Sequence, residues 1–177
     1  MPLIENDHIN FGENKVQEAI EKWSEIKKNK KNIKLHMVGK LQTNKVKSAL
    51  EIFDYIHSLD NIKLATKISD EQKKFMNKPK IFIQINIGNE AQKSGVNKSN
   101  ILDFYNVCKN LNLDIIGTMC LPPIKQDPNF FFSDMKKINT DLNLKEISMG
   151  MSEDYMEAIK HSSTYLRIGS KIFGQRS

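Results

Sequence analysis

Residues 80–88 read KIFIQINIG, and the order of side chains in this run selects between two kinds of parallel sheet. Side chains alternate across a strand, so Ile81, Ile83, Ile85 and Ile87 fall on one side and Phe82, Gln84 and Asn86 on the other. In an open, doubly wound sheet both faces lie under helices and both read as apolar. One apolar and one partly polar side fit a closed barrel better, with the isoleucines under an outer helix and the mixed side turned to the interior. No GxGxxG turn follows any predicted strand, which also weighs against a dinucleotide-type open sheet.

The same alternation of strand and helix extends in both directions from this run. HINF (8–11), KLHMVG (34–39) and DYIHSL (54–59) precede it as strands, and LDIIGTMCL (113–121), KEISMG (145–150) and YLRIGSKIFG (165–174) follow it. Between them lie segments of helical period. Val16, Ala19, Ile20, Trp23 and Ile26 form one stripe, with Asn14 as the expected N-cap and Gln17 completing a capping box. Further helices are predicted from Thr43, over 61–75, over 98–111, from an Asp127 cap with Pro128 behind it to 142, and from a Ser152 cap to 161. Seven strands, each but the last followed by a helix, imply an α/β chain with a mainly parallel sheet and right-handed crossovers. Eight such units close a (β/α)8 TIM barrel. The expectation is therefore one domain spanning 1–177, with PLIEN (2–6) as a helix tail and the first βα unit of the barrel falling before residue 7. Such a sheet carries two unpaired edges.

Composition narrows the function classes. The apolar fraction of 39% and charged fraction of 27% are those of a globular chain, and no apolar run approaches membrane-spanning length. The N-terminus shows no basic-then-apolar leader, and Cys108 and Cys120 have no metal or redox spacing, so a cytoplasmic, reduced location is expected. Net charge is +6, yet 25 of the 27 basic residues are lysine, mixed with acidic residues along helical segments; Arg167 and Arg176 are the two arginines. That is a solvated surface, not the arginine-rich face of a nucleic-acid binder, and no nucleic-acid or membrane partner is expected. His8, His36, His57 and His161 stand singly, so no metal site is expected. No GxSxG elbow and no local Cys–His pairing occur, so no catalytic residue is assigned.

In a (β/α)8 barrel the working end is the C-terminal rim of the strands, and the loops after the last two strands often hold a phosphate. Here those loops contain SMGMS (148–152) and RIGSKIFG (167–174). Gly169 lets a ligand approach the backbone, Ser170 offers an amide and a hydroxyl, and Ser148 stands at a strand end. The helix expected to begin at Ser152 is a poorer anion site, because Glu153 and Asp154 place negative charge at its positive end. Arg167 lies inside an otherwise apolar strand, where an unpaired guanidinium would be costly, so it is expected either as an exposed or salt-bridged arginine or as a fixed donor to a ligand.

The motifs FGENKVQEA (11–19), HMVGKLQTNK (36–45), IQINIGNEAQKSG (83–95), SMGMSEDYMEAI (148–159) and RIGSKIFG (167–174) resemble, in order and over nearly the whole chain, the pyridoxal phosphate homeostasis protein family. The resemblance implies a single, monomeric barrel of the alanine racemase N-terminal domain type, with a role in intracellular vitamin B6 and amino-acid homeostasis and no established catalysis. It implies pyridoxal 5'-phosphate as cofactor, with Ser148, Gly169 and Ser170 on the phosphate, Arg167 facing the pyridine nitrogen and Asn14 beside the cofactor. A cation at that nitrogen disfavours its protonation and makes the ring a weak electron sink. In the family the cofactor is held by a Schiff base to a lysine on the first strand, and no lysine of this sequence occupies that place; Lys40, Lys45 and Lys93 are expected in loops. The alternative expectation is a racemase-like enzyme using pyridoxal phosphate. It is disfavoured because such enzymes take a second catalytic base from a further domain.

Overall fold

The computed structural model describes residues 2–76 and 78–174; Arg176 lies outside them. A short helix α1 (Pro2–Glu5) leads into seven βα units: β1 (Asn10–Glu13), α2 (Val16–Asn29), β2 (Lys34–Met37), α3 (Val46–Ile52), β3 (Tyr55–Leu59), α4 (Ile62–Gln72), β4 (Lys80–Ile85), α5 (Ile101–Asn110), β5 (Ile115–Cys120), α6 (Pro128–Asp141), β6 (Glu146–Met151), α7 (Tyr155–Lys160), β7 (Tyr165–Arg167) and α8 (Ser170–Phe173). The strands form one sheet in the order β1 to β7, and every pairing is parallel. Among the described residues no pairing joins β7 to β1, so each has one edge outside the ladder. The architecture is the expected α/β barrel with seven strands.

Two separate layers of side chains fill it. Between strands and helices lies a continuous apolar cluster containing Trp23, Leu35, Ile56, Ile81, Ile83, Phe132 and Ile147. Phe82 and Met119 are equally buried but stand outside that cluster, because alternate strand positions point into the barrel. The isoleucines of KIFIQINIG thus face the helices and Phe82 faces the interior, as the alternation required.

Local sequence explains two helix starts directly. Asn61 caps α4 by accepting from the Leu64 amide at 2.9 Å, and Asp127 caps α6 by accepting from the Asn129 amide at 3.0 Å with Pro128 in the first turn. Two expected caps are corrected. Lys15, not Asn14, occupies the N-cap of α2, without a side-chain cap, and Gln17 bonds Glu21 one turn on. Asn14 stays in the turn because Gly39 of the next loop packs on its backbone: a Cβ at Gly39 would lie 2.3 Å from the Asn14 carbonyl oxygen. Asp154, not Ser152, precedes α7, and the Ser152 hydroxyl serves another loop. The final strand is also shorter than expected. It ends at Arg167, and 170–173 turn into α8.

Glu13 at the end of β1 locks the first unit, its Oε1 accepting from Trp23 Nε1 at 2.7 Å and from Lys22 Nζ at 2.9 Å. Asp54 does the same before β3, accepting from Lys27 Nζ at 2.6 Å and the Leu35 amide at 2.8 Å. Where β5 meets β6, Gly117 leaves no room for a side chain. A Cβ at Gly117 would lie 1.9 Å from the Glu146 carbonyl oxygen. Gly117→Ala is therefore expected to cost about 1–3 kcal/mol of stability, read as a lower urea midpoint at unchanged slope.

Candidate functional site

The third residues of β2, β3, β6 and β7 are His36, His57, Ser148 and Arg167, and strand alternation turns all four into the barrel. They meet there in one hydrogen-bonded line. Asn10 Oδ1 lies 3.1 Å from His36 Nε2, His36 Nδ1 lies 3.0 Å from His57 Nε2, and His57 Nδ1 lies 2.8 Å from Ser148 Oγ. Arg167 Nη1 donates to Ser148 Oγ at 2.8 Å and Nη2 donates to the Cys120 carbonyl at 2.8 Å. Aromatic rings pack around this line: His36 stacks on Tyr55 and His57 on Phe82, both at 4.2 Å between centroids, with Tyr165 edge-on to Phe82 at 5.1 Å.

Burial sets the protonation of these groups. It lowers His36 to about 4, partly opposed by the Asp54 carboxylate. It lowers His57 well below the usual histidine value, reinforced by His36 and Arg167. Both imidazoles are neutral at pH 7. Burial also pulls the Arg167 guanidinium down, while Cys120 and Asp154 favour its charge. The thiols of Cys108 and Cys120 are buried and pushed up to about 12, as core residues rather than nucleophiles.

Above Arg167, at the C-terminal rim, the loop after β7 meets the loop after β6. The Gly169 and Lys171 amides both point at Ser152 Oγ, at 3.2 and 3.4 Å. These are long hydrogen bonds, and both donors converge on one hydroxyl where a better acceptor would displace it. A Cβ built at Gly169 meets nothing within 4 Å, so the backbone faces open space there. Ser170, also exposed, begins α8 in the same loop. Asn14 is exposed in the turn after β1, on the same rim but on the opposite edge strand.

The structure thus brings Arg167, Gly169 and Ser170 together, leaves Asn14 across the β7–β1 opening, and gives Ser148 different partners from those expected. Ser148 is fully buried below the rim, its hydroxyl engaged by Arg167 and His57. Ser152 takes the place at the rim instead, and sequence reading passed over it because it was read as a helix cap. His36 and His57 were also missed. The signal for them was the shared third position of KLHM and YIHS, which puts both side chains on the inward face.

Comparison with known proteins follows this geometry. The family model of the alanine racemase N-terminal domain matches residues 1–177. A pyridoxal phosphate homeostasis protein of Pasteurella multocida is 34% identical over 177 residues, spanning 94% of this chain and 76% of its own length. The chain belongs to this family. Among solved structures, PipY of Synechococcus elongatus superposes with a TM-score of 0.92 without PLP and 0.89 with PLP bound, at 29% identity over 98% of this chain and 85% of PipY. Alanine racemase of Clostridium difficile superposes with a TM-score of 0.73 at 14% identity, over 98% of this chain and 47% of the racemase, a likeness of fold alone.

The residues present fit the two polar ends of a pyridoxal phosphate. Convergent amides beside open space suit a phosphate, and a buried guanidinium suits a neutral ring nitrogen. The motif lysines do not add an amine to this place. Lys40 and Lys45 are exposed in the loop after β2, and Lys93 pairs with Glu90 at 2.5 Å and donates to the Pro122 carbonyl at 3.1 Å. Lys80 opens β4 at the opposite, N-terminal end of the strands, its Nζ 5.9 Å from the Tyr55 ring centroid. Among the described residues no group of three or more His, Cys, Asp or Glu could hold a metal, and no helix is long and apolar enough to cross a membrane.

The histidine pair makes stability depend on pH. A folded pKa below the unfolded one means that the unfolded chain binds more protons between the two, so stability is complete above about pH 6.5 and falls as pH falls toward 4. For His36 alone the loss between pH 7 and pH 4.5 is about 2–3 kcal/mol. Urea unfolding at these two pH values measures it, and His36→Gln is expected to flatten the difference.

Proposed function

We propose that this chain binds pyridoxal 5'-phosphate and acts in vitamin B6 and amino-acid homeostasis as a cytoplasmic, monomeric carrier rather than a catalyst. The observation that carries the reading is the spacing between the end of β7 and the loop that follows it. Arg167 and Gly169 lie two residues apart, about 7 Å in extended chain, with the guanidinium in the barrel and the amide at the rim. One molecule with a basic ring nitrogen at one end and a phosphate arm at the other spans such a pair of donors. Membership of the pyridoxal phosphate homeostasis family and the PLP-bound form of PipY support the same ligand.

Each residue then has a role. The amides of Gly169, Ser170 and Lys171 and the hydroxyls of Ser152 and Ser170 hold the phosphate, and Asn14 flanks the cofactor from the β1 side. Ser148 holds Arg167. Arg167 donates to the ring nitrogen and keeps it unprotonated, since a second positive charge beside the guanidinium is unfavourable. Bound pyridoxal phosphate supplies an electron sink chiefly when that nitrogen is protonated, so this arrangement favours storage over carbanion chemistry. The described residues contribute hydrogen bonds and charge to its retention.

Pyridoxine 5'-phosphate tests this directly, because it lacks the aldehyde that would label surface lysines. Calorimetric titration is expected to show saturable binding of one molecule per chain. Arg167→Met should weaken it at least tenfold, the scale of a charged hydrogen bond, and Ser152→Ala should weaken it less. With pyridoxal phosphate and borohydride, no single lysine should be labelled stoichiometrically. Absence of saturable binding, or binding indifferent to Arg167, would overturn the reading.

A further inference from the structure

Arg167 is anchored at two points, and one of them leads across the whole barrel. Nη2 is fixed by a backbone carbonyl on β5, whereas Nη1 depends on a hydroxyl whose own orientation is free unless something holds it. That something is His57. Ser148 Oγ uses lone pairs for Arg167, so its proton is available to His57 Nδ1 at 2.8 Å. A neutral His57 that accepts at Nδ1 donates at Nε2, which places a proton toward His36 Nδ1 at 3.0 Å. His36 in turn donates from Nε2 to the Asn10 amide oxygen at 3.1 Å. Every ring nitrogen of the pair has a partner, and every proton in the line points away from the guanidinium. A cation at one end polarises a hydrogen-bonded chain in this direction.

We propose that His57 is a positioning residue of the cofactor site: anchored through His36 to Asn10 on the edge strand β1, it orients the Ser148 hydroxyl and thereby fixes the Arg167 guanidinium on β7. The inference rests on the assignment of Arg167 to the ring nitrogen made above. Simple filling of the interior does not account for the arrangement. A phenyl ring in place of His57 would stack on Phe82 equally well, but it would leave the Ser148 proton and His36 Nδ1 without partners. The low proton affinity of both imidazoles agrees with a line that works in its neutral form. It also keeps a second cation away from Arg167.

Two measurements test the proposal. In the unliganded chain at pH 7, nitrogen-15 NMR should show His57 with an unprotonated Nδ1 and a protonated Nε2, and Arg167→Met should shift the Nδ1 signal. A His57 protonated on Nδ1 overturns the proposal, whether or not the chain binds any cofactor. His57→Phe, confirmed folded by circular dichroism, should weaken pyridoxine 5'-phosphate about tenfold while leaving the affinity for inorganic phosphate within twofold. His57→Gln, which restores a donor and an acceptor, should recover most of the loss. Ser148→Ala serves as second variant if His57→Phe does not fold, with the same expected split. Equal loss of both ligands marks a merely structural histidine and overturns the proposal. Failure of the unaltered chain to bind pyridoxine 5'-phosphate overturns the functional reading instead, and the NMR result then decides the positioning role alone.

Discussion

A guanidinium inside a barrel has to be partnered, and the way Arg167 is partnered organises the interior of this protein. Leaving a buried charge without hydrogen bonds costs several kcal/mol or more. The chain meets this constraint by bringing a carbonyl from β5 and a hydroxyl from β6 to the two terminal nitrogens. The hydroxyl then needs its own partner, which is His57, and His57 needs His36. One charge on the last strand thereby dictates neutral polar residues at the inward third position of three others.

The constraint also divides the barrel along its axis. In the interior, Tyr55 and Phe82 stack on the two histidines of the hydrogen-bonded line. The C-terminal rim offers backbone amides to solvent, with Ser152 as a weakly held acceptor. Apolar packing against the outer helices carries the stability, while the interior sacrifices some hydrophobic burial for fixed dipoles. Such a division lets a polar ligand enter at the rim and meet a preset charge below it. The edge strands β1 and β7 are tied through the interior by this line although no ladder hydrogen bond joins them.

Much of this was legible in the sequence, because the deciding signals were local. Alternation in KIFIQINIG set the two faces of β4, helical stripes gave the outer layer, and Asn61 and Asp127–Pro128 marked helix starts by cap chemistry. The rule that places function after the last barrel strands pointed to Ser148, Arg167, Gly169 and Ser170. What sequence could not supply was long-range geometry. Asn14 is held off the α2 cap by Gly39, and Ser152 turns to the loop after β7 rather than to its own helix. Ser148 was read as standing at a strand end, whereas it is the third residue of β6 and fully buried. The two histidines read as isolated because 21 residues separate them in the chain and strand register alone brings them together.

The most direct test of this account is a crystal structure with pyridoxine 5'-phosphate bound. The account predicts the phosphate on the amides of Gly169 and Lys171 with Ser152 turned toward it, the ring nitrogen within hydrogen-bond distance of Arg167, and Arg167 still bonded to Ser148. A phosphate seated elsewhere, or a guanidinium swung away from Ser148, would contradict it.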